Sequence, residues 1–314
     1  MTHLLEPIPQ AEQNFPFKHD FIERYSKLTD WEEFKKYSLS FLRRSIRVNT
    51  LLGSVAEVKK SIEAKGWKLT PDPLSKEGFW IDHPDRRDVG NLLEHHIGKI
   101  YVQEAASMIP PLVLQPQPGE IVLDMCAAPG SKTTQMAAMM NNEGIIVAND
   151  YKGDRLQSLG LNIQRSVLTN TLITLMHGKR FYQFEFDKIL LDAPCSGTGT
   201  IRKSLKTISI WNPGMVGKIA KAQKELIENA FKNLKVGGEM VYSTCSLEPE
   251  EDEGVVDFLL QKFENAEIME VDLPGLKRSP AVLEFEGVNY NPSVKHCLRI
   301  WPQDNDTEGF LCVK

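Results

Sequence analysis

The chain has 314 residues, 37 Lys plus Arg against 42 Asp plus Glu for a formal charge of −5, 41% hydrophobic and 25% charged residues. Such values exclude collagen-like, coiled-coil and disordered chains and leave room for about two domain-sized units around a sizeable core. They also argue against a wholly basic nucleic-acid coat while leaving a local basic groove open.

No apolar run approaches the roughly 18 residues that cross a bilayer, and Met1 to Gln10 has neither the basic nor the apolar region of a secretion signal, so a cytoplasmic protein with no membrane association is expected. Five cysteines, Cys126, Cys195, Cys245, Cys297 and Cys312, are odd in number and show neither a Cys-x-x-Cys pair nor zinc-ligand spacing. Neither a disulfide framework nor a metal site is expected, and the open question is whether a thiol is reactive.

In chain order, Phe15 to Leu42 carries Phe21, Ile22, Tyr25, Leu28, Trp31, Phe34 and Tyr37 at spacings near three and four, which predicts two short amphipathic helices. Alternation in Ile46-Arg47-Val48-Asn49-Thr50 predicts a strand, and Val55 to Lys65 predicts a helix closed by Gly66. Short strands at Trp67–Leu69 and Phe79–Ile81, followed by a loop over Asp82–Arg87, complete a helical and α+β module expected over residues 1–98. From there to residue 314 the pattern changes. Ile121–Leu123, Ile145–Val147, Leu172–Leu175, Ile189–Leu191 and Met240–Tyr242 are short apolar runs separated by helix-length stretches, the pattern of buried parallel strands with helices on both faces. The clearest helix runs from Val216 to Leu234, with Ile219, Leu226, Ile227, Ala230 and Phe231 on one face and Gly237-Gly238 expected to end it. The fold class expected is α/β.

Ligands of open parallel sheets bind beyond the carboxyl ends of the strands. The first run is followed by Asp124-Met125-Cys126-Ala127-Ala128-Pro129-Gly130-Ser131-Lys132-Thr133, where small residues let a ligand approach the backbone and helix-opening amides attract a carboxylate or phosphate. The loop has only Gly130, so it is no dinucleotide fingerprint, and Ser131 and Cys126 stand where a P-loop needs Gly. The second strand ends at Asn149-Asp150, an acidic position suited to a ribose diol. A nucleoside without a pyrophosphate suits both loops, and S-adenosylmethionine meets that description. Two further strand ends carry cysteines, in Asp192-Ala193-Pro194-Cys195-Ser196-Gly197-Thr198-Gly199 and in Ser243-Thr244-Cys245-Ser246.

With these motifs, and with Arg47-Val48-Asn49, Gly98-x-x-Tyr101-Val102-Gln103-Glu104-Ala105-Ala106-Ser107 and Gly309-Phe310-Leu311, the chain from Arg47 onward resembles the Sun/Fmu and nucleolar-protein group of RNA cytosine carbon-5 methyltransferases. The resemblance implies a Rossmann-like class I methyltransferase sheet over residues 99–314. It also implies Cys245 as nucleophile, Asp192 at the cytosine edge, Cys195 assisting release of the product, and Lys132 holding substrate or keeping Cys245 ionised. For S-adenosylmethionine it implies Cys126, Ala127, Ala128, Pro129, Gly130, Ser131 and Lys132 around the methionine and ribose, Asp150 on the ribose hydroxyls, Arg155 in the same pocket, and Asp192 near the transferred methyl. Two places depart from the family pattern. Met176-His177-Gly178 stands where an Asp often binds the adenine amino group, which leaves the adenine contact open, and Arg202-Lys203 continues into Ser204-Leu205-Lys206.

Such chemistry follows from cytosine itself: carbon 5 becomes nucleophilic only after a thiolate adds to carbon 6. A base within a duplex has to be flipped out to reach the site, and the amino-terminal module is expected to clamp the RNA. Arg43, Arg44, Arg47, Arg202, Lys203 and Lys206 are candidates for a local basic groove. The acidic run Glu248 to Glu253 is expected to open a helix before Val255, with no catalytic role. The substrate expected is structured RNA, tRNA favoured over rRNA, with no obligate protein partner evident. Two other readings stay open: DNA cytosine methylation through Cys195, and a non-catalytic RNA-binding assembly factor that retains the cofactor fold.

Overall fold

The computed structural model describes residues 5–9 and 17–314; Phe15 lies outside the described residues. Two amphipathic helices open the chain, α1 (His19–Leu28) and α2 (Trp31–Ser38), the second capped by Asp30, whose carboxylate accepts from the Glu32 and Glu33 amides. A four-stranded antiparallel sheet follows, made of β1 (Ser45–Val48), β2 (Lys68–Pro71), β3 (Gly78–Asp82) and β4 (Ile100–Val102) in the order β2-β3-β1-β4. Helix α3 (Val55–Glu63) packs Val58 and Ile62 on this sheet beside Ile46, Trp67, Phe79 and Ile81, and α4 (Leu93–His96) leads into β4. This sheet therefore extends past residue 98, to Val102. The helices α1 and α2 bury their aromatic faces elsewhere. Phe21, Tyr25 and Phe34 pack against Trp211, Leu247 and Trp301 of the carboxyl-terminal part.

That part is a doubly wound sheet. Helix α5 (Ile109–Leu114) precedes β5 (Ile121–Asp124), and then come α6 (Ser131–Met139), β6 (Ile145–Asp150), α7 (Gly153–Arg165), β7 (Thr171–Leu175) and β8 (Phe186–Asp192). They are followed by α8 (Lys206–Ile210), α9 (Pro213–Lys232), β9 (Leu234–Thr244), α10 (Glu253–Lys262), the small hairpin β10 (Glu284–Phe285) and β11 (Val288–Asn289), β12 (Leu298–Ile300), α11 (Pro302–Asn305) and β13 (Phe310–Val313). The seven-stranded order is β12-β13-β9-β8-β5-β6-β7, parallel from β9 to β7, with β13 antiparallel to both of its neighbours. Because successive strand residues face opposite sides, Leu123, Ile189 and Leu191 join one core with Leu226 and Val255, while Val122, Leu190 and Val241 join the other with Ile109 and Met136. The Rossmann-like α/β fold is the one expected. Among the described residues no helix is long and apolar enough to cross a membrane.

Two local expectations are corrected. Gly237-Gly238 does not end the long helix: α9 stops at Lys232, and both glycines lie within β9. The Leu172–Leu175 strand is not buried, because β7 forms the sheet edge and Leu172 and Leu175 are exposed. The acidic run leads into α10, as expected, with Glu248, Glu251, Asp252 and Glu253 fully buried.

Glu248, Asp252 and Glu253 are held by cations from distant segments. Glu248 accepts from Arg24 Nε at 2.7 Å, from the Tyr25 hydroxyl at 2.8 Å and from Trp211 Nε1 at 2.8 Å. Arg299 Nη2 meets Asp252 at 3.0 Å, its Nε donates to Glu253 at 2.8 Å, and its Nη1 donates to the Leu247 carbonyl at 3.1 Å. Removing one partner of such a buried group leaves the others uncompensated, so Arg299→Met is expected to destabilise the protein by about 3–5 kcal/mol in equilibrium denaturant unfolding. An effect near zero would show that the pairing is not needed for the fold.

Candidate active site

At the carboxyl ends of β5, β8 and β9 a cavity of about 340 Å³ opens, a volume within the range of small-molecule sites. Cys126, Ala127, Ala128, Pro129, Ser131, Lys132, Asp192 and Cys245 line it, so eight of the residues singled out from the sequence meet in one place. Gly130, Asp150, Arg155 and Cys195 do not line it.

Gly130 turns the loop. Its φ of 103° is left-handed, and a Cβ there would come within 2.9 Å of Leu159 Cδ1, so glycine alone suits both the turn and the close packing on α7. It is also the N-cap of α6, with Ser131 the first helical residue. Asp150 is buried at the end of β6; its Oδ1 accepts from the Lys152 amide at 3.1 Å, and its Oδ2 meets Arg155 Nη1 at 3.2 Å while accepting no hydrogen bond. Arg155 also donates to the Ala128 carbonyl, tying α7 to the loop. An acceptor oxygen left free at the end of the second parallel strand, beside a rim of small residues, fits a ribose diol and an amino-acid chain. His177, exposed at the end of β7, accepts from the Lys179 amide at 3.4 Å and sits 5.7 Å from the Tyr151 ring; it does not line the cavity.

The chemistry-bearing groups gather around Asp192. Lys132 Nζ pairs with Asp192 Oδ2 at 2.6 Å, and the Ser243 hydroxyl donates to Oδ1 at 2.8 Å. Burial opposes a charge on Lys132, but Asp192 and the neighbouring Cys245 outweigh it and hold the ammonium above its ordinary range. Cys195 Sγ lies 2.9 Å from Cys245 Sγ, both thiols free and partly buried. The hydrogen bond to Cys245 and then desolvation push the Cys195 thiol well up. Cys126 is also raised, by burial and by the carboxylates around it, and is inert by comparison.

Cross-links fix the two cysteine loops in register. Ser196 and Ser246 hydroxyls lie 3.1 Å apart, the Leu247 amide donates to Thr198 Oγ1 at 2.9 Å, and the Gly199 amide donates to the Cys245 carbonyl at 2.9 Å. A Cβ on Gly199 would fall 2.1 Å from the Gly309 carbonyl oxygen, so only glycine lets these backbones touch. Thr244 Oγ1 donates to Asp252 at 2.6 Å, and Glu251 accepts from the Ser196 amide at 2.9 Å.

The basic groove is smaller than expected. Arg47 is buried, donating to Thr134 Oγ1 at 2.8 Å, with burial pushing it down to about 10. Arg202 is buried against Asp306 at 2.8 Å, and Arg43 stacks 3.8 Å over Trp80, which leaves Arg44, Lys203 and Lys206 as the exposed members. Lys203 lines the cavity, and so do Tyr101, Gln103, Glu104, Ser107, Thr200, Glu308 and Phe310, which were not singled out as site residues. Their signal lay in the Gln103-Glu104-Ala105-Ala106-Ser107 and Gly309-Phe310 motifs.

Residues 111–314 match the family described as 16S rRNA methyltransferase RsmB/F, and residues 17–105 match the N-terminal domain of 16S rRNA methyltransferase RsmF. The chain belongs to the RsmB/F methyltransferase family. It is an S-adenosylmethionine-dependent RNA cytosine carbon-5 methyltransferase. It is similar to a tRNA (cytosine(49)-C(5))-methyltransferase of Pyrococcus abyssi, 51% identical over 296 residues that cover 93% of this chain and 94% of that protein. Ribosomal RNA small subunit methyltransferase F of Shewanella oneidensis is 44% identical over 278 residues, covering 87% of this chain and 57% of that protein. A solved methyltransferase homologue from Pyrococcus horikoshii superposes with a TM-score of 0.81 at 33% identity, over 94% of this chain and 98% of that one.

Within this methyltransferase, Asp124 beneath the cofactor loop offers a pH test. Burial pushes its carboxyl up to about 7, against the Thr133 hydroxyl that donates to it at 2.6 Å. The fold thus favours its protonated form, so its contribution to stability is full below the ordinary value of 3.8 and is lost as pH rises through about 7. With cofactor absent, the stability of wild type relative to Asp124→Asn is expected to fall across that window in denaturant unfolding and to level off above it. A difference that does not change with pH would contradict the assignment.

Proposed function

We propose that this methyltransferase modifies cytosine carbon 5 in tRNA, with Cys245 as the nucleophile. S-adenosylmethionine supplies the electrophilic methyl group. The residues that would hold it are Cys126 to Lys132, with Asp150 on the ribose hydroxyls, Arg155 supporting Asp150 and the loop, and Asp192 near the transferred methyl.

The thiolate of Cys245 adds to carbon 6 of the flipped base, and Asp192 contacts the N3 and amino edge, where charge changes during addition. Lys132, charged and buried, fixes Asp192 and lines the same cavity as Cys245. Once carbon 5 carries the methyl, loss of its proton re-forms the aromatic ring and expels Cys245. Cys195, kept as a thiol, donates to the departing sulfur and assists release. The observation that carries this reading is the convergence of Cys245, Asp192 and Lys132 on one cavity, with the Cys195 sulfur 2.9 Å from that of Cys245.

The tRNA substrate rests on the end-to-end match to the Pyrococcus abyssi enzyme, whereas the chain spans just over half of the Shewanella oneidensis ribosomal relative. A ribosomal substrate is the second reading, favoured by the family description itself. The β1–β4 sheet is the proposed RNA clamp, with Arg44 and Lys206 reaching phosphates beside the cavity.

Purified protein given methyl-labelled S-adenosylmethionine with tRNA or with 16S rRNA tests the reading. Label is expected in tRNA as 5-methylcytosine, falling to background for Cys245→Ala, with a covalent RNA adduct accumulating for Cys195→Ala. Label in rRNA alone would move the substrate to the second reading. Loss of activity at Cys195 with Cys245→Ala tolerated would exchange the two roles.

A further inference from the structure

One wall of the cavity has no part in the steps above. Glu104, Lys203 and Glu308 line it beside Cys245, and they come from three places: the segment after β4, the turn after Thr200 and the segment before β13. Backbone bonds build this wall outward from the nucleophile's own loop. The Gly199 amide donates to the Cys245 carbonyl and the Gly309 amide to the Gly199 carbonyl, both at 2.9 Å, and Glu308 precedes Gly309. The Glu308 amide in turn donates to Glu104 Oε1 at 3.2 Å, the Ser107 amide donates to Oε2 at 3.2 Å, and Lys203 Nζ pairs with Glu308 Oε1 at 2.6 Å. Two carboxyls share one cation here.

The last step needs a base, and stereochemistry says where. With Cys245 Sγ bonded to one face of the ring at carbon 6, the methyl would come to carbon 5 from the other, unoccupied face. The hydrogen left on carbon 5 then turns toward the thiol's side. The acceptor therefore belongs to the wall built around Cys245. Cys195 is a poor acceptor, since its hydrogen bond to Cys245 and its burial keep it protonated. Glu308 and Glu104 hold the Lys203 ammonium above its ordinary range, and Asp192 is committed to Lys132 and Ser243.

We propose that Glu104 takes the carbon 5 proton, with Glu308 and Lys203 as positioning residues. The C5–H bond breaks toward a Glu104 carboxylate oxygen, its electron pair becomes the C5=C6 π bond, and the C6–S bond breaks with its pair leaving on Cys245 Sγ. Burial and then the Glu308 charge push the Glu104 carboxyl up to about 7, while Lys203 and the two amides pull the other way. Such a group both accepts and returns a proton near neutrality. The charged groups facing it are Glu308 and Lys203, with Cys245, Lys132 and Asp192 lining the same cavity.

The inference rests on Cys245 being the nucleophile, so the test separates the two. Wild type, Glu104→Gln and Cys195→Ala are mixed with substrate RNA and S-adenosylmethionine in single turnover; adducts are followed by denaturing electrophoresis and located by mass spectrometry. In Glu104→Gln a methylated adduct on Cys245 is expected to form at near the wild-type rate and to decay about 100-fold more slowly. Wild-type decay is expected to quicken as pH rises through about 7 and to slow when deuterium replaces hydrogen at carbon 5. Decay of the Glu104→Gln adduct at the wild-type rate overturns the proposal. If that variant does not bind cofactor by calorimetry, the wild-type profile decides, and decay indifferent to pH across neutrality overturns it. An adduct on Cys245 in Cys195→Ala alone removes only the Glu104 role, and no adduct on Cys245 in any of the three proteins removes both.

Discussion

Arg24 and Arg299 are buried arginines that between them pair with Glu248, Glu250, Asp252 and Glu253, four of the carboxylates that follow the Cys245 loop. A buried charge costs several kcal/mol unless it is paired, so this stretch has few alternatives to the arrangement in which these four carboxylates meet the two arginines. Thr244 is fastened to Asp252, Leu247 to Arg299, and Glu248 to α1 through Arg24 and Tyr25. Cys245 stands between these anchors. Its thiol is thereby presented to the cavity by a backbone anchored on both sides, which is what the proposed attack on a flipped base requires.

The same constraint explains how two thiols come to lie side by side on separate loops. Ser196, Thr198 and Gly199 bond the Cys195 loop to the Cys245 loop, and Glu251 braces the Ser196 amide from below. Asp192 and Lys132 then set the electrostatics of the opening, one buried cation serving both a carboxylate and a nearby thiol. The cavity is a composite: cofactor loop, two cysteine loops, the strand end before Glu104 and the turn before Phe310 each supply one wall.

Much of this was legible in the sequence because short apolar runs mark parallel strands, and such sheets place ligands just after them. Asp124 to Lys132, Asp192 and Cys245 needed no more than that rule and the family motifs. What stayed hidden depends on partners far along the chain. Glu248 to Glu253 were read only as a helix start, and their burial was not visible because one of their cations, Arg24, lies 224 positions from Glu248. Arg47 and Arg202 looked like groove residues for the same reason, their acceptors being remote. An apolar run also does not distinguish a central strand from an edge, which is why β7 was misplaced in the core.

The central claim is that the sulfur joined to the base is that of Cys245. RNA in which the target cytidine carries fluorine at carbon 5 measures it directly, because the fluorine cannot leave as a proton and the adduct is trapped after methyl transfer. Peptide mapping of the trapped wild-type complex is predicted to find the methylated, fluorinated base on Cys245; finding it on Cys195, or finding no covalent complex in the presence of S-adenosylmethionine, would contradict the account.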